Sequence, residues 1–139
     1  MGPTLPKGAV SGANLNKTLS GALKGQGNAF VAAGQKYGVN PALLAAIAIH
    51  ETGNGSSSAA KIKNNVGGMM GKNGLMTFNS LQEGIDKMAS NLKRNYIDKG
   101  LTTIEQIQKK YAPVGASNDP NNLNSNWING VSKYYKMLS

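Results

Sequence analysis

The stretch LAAIAIHETGNGSS, residues 44 to 57, decides how the rest of the chain is read. It opens as a nearly unbroken apolar run, passes through His50 and Glu51, and leaves through a loop of Gly, Asn and Ser. Asn40 can cap and Pro41 suits a first helical position, so PALLAAIAIHE reads as one helix stopped by Gly53. A helix that is apolar around its whole circumference has no face to give to water, which predicts a buried central scaffold. A carboxylic acid in its last turn then needs a reason.

Ala48, Ile47 and Leu44 lie on the helical face of Glu51, so the carboxyl crowns an apolar stripe. Desolvation disfavours the charged form, and the negative end of the helix dipole does the same. Both raise the carboxyl pKa. A protonated acid near neutral pH is what general acid cleavage of a glycosidic bond requires. The plain alternative is a helix end fraying into water. A zinc site fails on ligand count: HETGN lacks the second histidine of H-E-x-x-H, and His50 is the only histidine in the chain. His50 is read as a packing neighbour, and no metal or cofactor is expected.

A chain of 139 residues, 40% hydrophobic and 15% charged, fits one globular domain, either a monomer or part of a larger protein. The absence of cysteine excludes a disulfide framework, a thiolate metal site and a cysteine nucleophile. A net charge of +9 predicts attraction to polyanions, whether nucleic acid, anionic membrane or an acidic cell-wall polymer, and charge alone does not choose among them. Nucleic acid is not expected, because there is neither a concentrated Lys/Arg run nor a stacking motif. No run approaches the roughly 20 apolar residues of a membrane span, and MGPTLPKGAV has neither the basic start nor the apolar stretch of a signal peptide.

Residues 1–25, rich in Gly, Pro, Ser, Asn and Lys, read as a flexible N-terminal arm or linker with one weak helical turn around Leu15 to Leu23. The catalytic domain is then expected over 26–139. NAFVAAGQKY, residues 28 to 37, has helical spacing and stops at Gly38. GGMMGKNGLMTF, residues 67 to 78, reads as a small β-hairpin lobe turning at Lys72-Asn73-Gly74. Ser80 to Glu83 and Thr102 to Glu105 read as capping boxes, the second opening a short helix that ends by Pro113. In the first of these helices Leu81, Ile85, Met88, Leu92 and Tyr96 form one stripe. A last helix turns Trp127, Ile128, Val131, Tyr134 and Leu138 inward, with Trp127 read as core. The fold class is mainly α, a helical domain with a small irregular or β-hairpin lobe, and Glu51 stands at the junction.

The run KGQGNAFVAAGQKYGVNPALLAAIAIHETGNGSS resembles the start of the glucosaminidase domains of bacterial and phage cell-wall hydrolases, glycoside hydrolase family 73. KNNVGGMMG is similar to their Asn-x-x-Gly segment, and KYAPVGASNDPNNLNSNW to their Tyr-Ala…Asp-Pro segment, in the same order over residues 24 to 138. Lytic transglycosylases and goose-type lysozymes share these features. The resemblance implies a lysozyme-like α+β fold, a glycosidase acting on peptidoglycan glycan strands, and Glu51 as the general acid. Tyr111 matches the family tyrosine, implying that it orients the substrate N-acetyl group or stabilises the charged intermediate. The chain departs from the pattern at Gly67, where these domains carry an aromatic residue, and GGMM is closer to the Gly-Leu-Met of transglycosylases.

Asn65, Gly68, Met69 and Phe78 are the expected substrate-binding residues, because sugar sites combine apolar platforms with amide-sized hydrogen-bonders. Paired-acid glycosidases need a second carboxylate about 5 to 9.5 Å from the first. Of the six acids only Asp119, in a loop, is free to be recruited, which favours one carboxylate assisted by the substrate N-acetyl group. The expected activity is an endo-β-N-acetylglucosaminidase. Its alternatives are a lytic transglycosylase or muramidase on the same fold, or a non-catalytic polyanion-binding module. The expected location is extracellular, either secreted or associated with a phage virion or lysis system.

Overall fold

In the computed structural model, residues 11–112 and 126–139 are described. Seven helices and one two-stranded sheet lie within them: α1 Gly12–Asn16, α2 Gly27–Tyr37, α3 Pro41–Thr52, α4 Ser58–Lys63, β1 Met70–Gly71, β2 Gly74–Leu75, α5 Leu81–Asn95, α6 Ile104–Tyr111 and α7 Trp127–Leu138. The helix α3 is the axis. Every residue from Ala42 to Ile49 is buried, as expected of a helix with no polar face. Asn40 Oδ1 accepts from the N–H groups of Ala42 and Leu43 at 2.8 and 3.2 Å, Pro41 follows it, and Gly53 ends the helix in the left-handed region at φ 57°.

Around α3 pack α7 on one side and α2 on another; α2 in turn carries α5 and α1, while α6 lies against α7. Two glycines permit the closest approaches. A Cβ on Gly34 would fall 2.5 Å from the Val39 carbonyl oxygen, so the tight α2–α3 corner excludes a side chain there. A Cβ on Gly130 would fall 2.2 Å from His50 Nδ1, so α7 seats directly on the last turns of α3.

The expected flexible arm is corrected for residues 11–25. Leu15, Leu19 and Leu23 are 0%, 5% and 0% exposed and belong to the main core. Ser11 caps α1, and the segment is tied to the loop that follows Glu51: the Ser20 N–H donates to Asn54 Oδ1, Asn54 Nδ2 to the Thr18 carbonyl, and the Ala22 N–H to the Gly55 carbonyl. Composition misled here, because three leucines four residues apart carry the burial. The small residues between them serve close backbone contact: a Cβ on Gly27 would lie 2.1 Å from the Gly12 carbonyl oxygen. Residues 1–10 lie outside the described set.

Smaller expectations shift as well. Ser80 Oγ accepts from the Glu83 N–H, but Glu83 Oε1 accepts from the Asn79 N–H instead of closing a box on Ser80. The second box forms one residue later, between Thr103 and Gln106. On α7, Tyr135 is buried, whereas Tyr134 and Ile128 are half-buried. The hairpin forms as expected, pairing Met70 with Leu75 and Gly71 with Gly74 across Lys72 and Asn73.

Leu15→Ala should cost about 2–5 kcal/mol of unfolding free energy in urea, the range for emptying a fully buried leucine site. An unchanged midpoint would return the segment to the status of an arm.

Candidate active site

Glu51 occupies the last turn of α3 and is half-buried. Its two carboxyl oxygens have different surroundings. Oε2 accepts a hydrogen bond from Trp127 Nε1 at 2.9 Å. Oε1 faces Gly68, where a Cβ would stand 2.8 Å away. Gly68 also has φ 65°, so glycine is required there both by backbone conformation and by the proximity of the acid. Burial raises the Glu51 pKa, and the Trp127 hydrogen bond, which favours the anion, opposes part of that rise. The fold therefore holds this proton more tightly than the unfolded chain does. Stability linked to it is complete below the unfolded pKa and is lost as pH rises through the folded one.

The end of α3 is also fixed from behind. Thr52 Oγ1 donates to the Ala48 carbonyl at 2.6 Å and accepts from the Gly55 N–H at 2.8 Å, which holds the loop as it leaves the acid. His50 packs edge-on to Trp127, with ring centroids 6.3 Å apart, and burial lowers its pKa, so it is a neutral packing residue.

Trp127 sits in the core as expected, yet its indole N–H is the element of the site that sequence reasoning missed. A signal existed: indole is a donor only, and a buried Trp normally finds an acceptor. No spacing rule identifies that acceptor, because Glu51 lies 76 residues away in sequence.

Tyr111 closes α6. Its ring lies between Tyr96 and Trp127, at centroid separations of 5.8 and 5.6 Å. Its hydroxyl donates to the Gly67 carbonyl. Burial, then the Glu51 charge, then Tyr96 push its pKa well above the ordinary tyrosine value, so the phenol stays neutral. This placement explains the departure at Gly67. A Cβ there would lie 2.9 Å from the Tyr111 hydroxyl and 2.9 Å from Met88 Cγ, leaving no room for an aromatic ring.

Gly67, Gly68, Met69 and Met70 form one side of a groove of about 310 Å3 completed by Asn91, Tyr96, Lys110 and Tyr111. Gly68 is thus beside the acid, and Met69 lines the same groove. Asn65 is corrected. It is 1% exposed, its Nδ2 donates to the Met69 and Met76 carbonyls at 2.9 and 3.0 Å, and its Oδ1 accepts from the Met69 N–H at 2.9 Å. Its amide braces the hairpin with both of its donors spent, and burial keeps the remaining lone pair of Oδ1 from a sugar. Phe78 is corrected too. At 7% exposed, it lines a separate groove of about 740 Å3 with Tyr37 and Asp86, which shares no residue with the groove beside Glu51. Asp119 lies outside the described residues. Among those described, no three His, Cys, Asp or Glu side chains gather as a metal site.

Residues 27–138 match the Glucosaminidase family, described as mannosyl-glycoprotein endo-beta-N-acetylglucosaminidase. None of the curated proteins matches the chain. Among solved structures it is similar to S. aureus autolysin E in complex with the muropeptide NAM-L-Ala-D-iGlu, with a TM-score of 0.74 at 22% identity over 92% of this chain and 66% of that one. A catalytic mutant of autolysin E in complex with the disaccharide NAG-NAM gives 0.73 at 22% identity, again over 92% and 66%. Autolysin E itself gives 0.72 at 23% identity, over 92% and 65%. The chain thus spans just under two thirds of those chains, and at this identity the likeness establishes the lysozyme-like fold.

Trp127→Phe keeps the ring and removes the donor. Since that hydrogen bond lowers the Glu51 pKa, its loss should move the Glu51 titration to higher pH, read by carboxyl-carbon NMR. An unmoved titration would show that the indole does not control the acid.

Proposed function

Because the chain belongs to the Glucosaminidase family, we propose that it is an endo-β-N-acetylglucosaminidase that cuts the glycan strand of peptidoglycan, with Glu51 as acid and then base. The observation that carries this proposal is the division of labour at one carboxyl: one oxygen held by Trp127, the other turned toward Gly68 on the groove. The sugar complexes of autolysin E support the choice of substrate.

In the first step protonated Glu51 gives its proton from Oε1 to the glycosidic oxygen as the C1–O bond breaks. The carbonyl oxygen of the sugar's own N-acetyl group closes on C1, forming a cyclic oxazolinium intermediate. The carboxylate left behind is stabilised by the Trp127 N–H, the same bond that lowers its pKa. In the second step that carboxylate takes a proton from water as the water opens the intermediate at C1, which restores the acid. Tyr111 donates to Gly67, which leaves its hydroxyl oxygen able to accept from the acetamido N–H and orient that group. The substrate and the basic surface imply action at the cell wall, by a secreted or phage-borne enzyme.

Glu51→Gln should lower the rate of clearing of purified cell walls by about 10²- to 10⁴-fold, the range for a general acid, while sedimentation with walls persists. Lysis at the wild-type rate would refute the assignment of Glu51. Gly68→Ala should also impair clearing, because a methyl group would press on Oε1 from a strained backbone. Reducing-end GlcNAc among the products is expected, whereas 1,6-anhydro-MurNAc ends would identify a transglycosylase, and reducing-end MurNAc a muramidase.

A further inference from the structure

Among the described residues, the groove beside Glu51 is lined by a single charged side chain, Lys110. Its ammonium is held in place: Nζ donates to the Asn95 carbonyl at 2.8 Å and sits 4.9 Å from the centroid of the Tyr96 ring. An ammonium has three donors, and one is spent on Asn95, so two remain. Among the described residues the only ion pair joins Lys93 to Asp98, which leaves Lys110 without a carboxylate partner there. Among the described residues, a cation that donates to a backbone carbonyl, has no carboxylate partner, and lines a groove otherwise made of glycine, methionine, asparagine and tyrosine is suited to receive an anion on a sugar chain.

We propose that Lys110 forms a carboxylate subsite that reads the acidic substituent on the 3-oxygen of alternate sugars in the strand. This rests on the peptidoglycan substrate proposed above. In that polymer the GlcNAc units are neutral. The MurNAc units carry a lactyl group, whose carboxylate is either free or linked to a stem peptide with carboxylates of its own. A cation on this groove therefore sets which sugar lies against it, and with it which bond reaches Glu51.

Three substrates from one preparation separate the possibilities: peptide-free strands with free lactyl carboxylates, the same strands with those carboxylates coupled to methylamine, and peptide-bearing strands. For the wild-type chain, kcat/KM should favour charged over neutralised strands by about tenfold, as for one charge-assisted hydrogen bond, mainly through KM. Lys110→Met should bring the ratio near one without moving the pH limb set by Glu51, Lys110→Arg should restore it, and about 0.5 M salt should shrink it. A Lys110-dependent preference seen with peptide-bearing strands alone would assign the subsite to a stem-peptide carboxylate. The same ratio in wild type and Lys110→Met would overturn the subsite and leave the glycosidase assignment standing. A wild-type chain that cuts none of the three would remove the glycosidase assignment itself.

Discussion

The hydrogen bond from the Trp127 indole to Glu51 is the interaction around which the site is arranged. An ionisable group at the end of a wholly apolar helix is costly to charge, and a catalytic acid has to exist in both protonation states. One donor that favours the anion keeps both states within reach, since burial pulls the pKa up and the indole pulls it down. The bond exists only because α7 lies directly on α3, an approach that depends on the missing side chain at Gly130. Core packing and the chemistry of the acid are thus one constraint.

A second constraint links the two sides of the groove. The Tyr111 hydroxyl holds the Gly67 carbonyl, and at the next residue, Gly68, an added Cβ would stand 2.8 Å from Glu51 Oε1. Asn65 secures the other side of the same loop through Met69 and Met76. The segment carrying four of the groove residues is therefore held from α6 and from within the lobe, although its sheet is only two residues long on each strand. Met70 and Leu75, paired across the hairpin, remain 64% and 40% exposed, so the lobe is ordered by polar braces more than by an apolar core of its own.

Much of this was legible in the sequence, and for physical reasons. Asn40, Pro41, Gly38 and Gly53 are local signals whose meaning depends on a few neighbouring residues, and each acts as expected. The apolar circumference of α3 specified burial, and the acid at its end stood out. Contacts set by tertiary packing were harder to read. Leu15 and Leu23 look like isolated apolar residues in a glycine-rich segment until α2 and the core surround them. Asn65 and Phe78 carry the right chemistry for a sugar site, but the fold turns the first inward and the second toward another groove. Residue type reports what a side chain can do, while its direction is decided by backbone geometry beyond the reach of a local pattern.

The ties between residues 18–22 and the Asn54–Gly55 loop have a mechanical consequence. They fasten the segment that follows α1 to the turn that leaves α3 just after Glu51, while α1 itself packs on α2. The beginning of the described chain is thereby part of the scaffold that backs the acid.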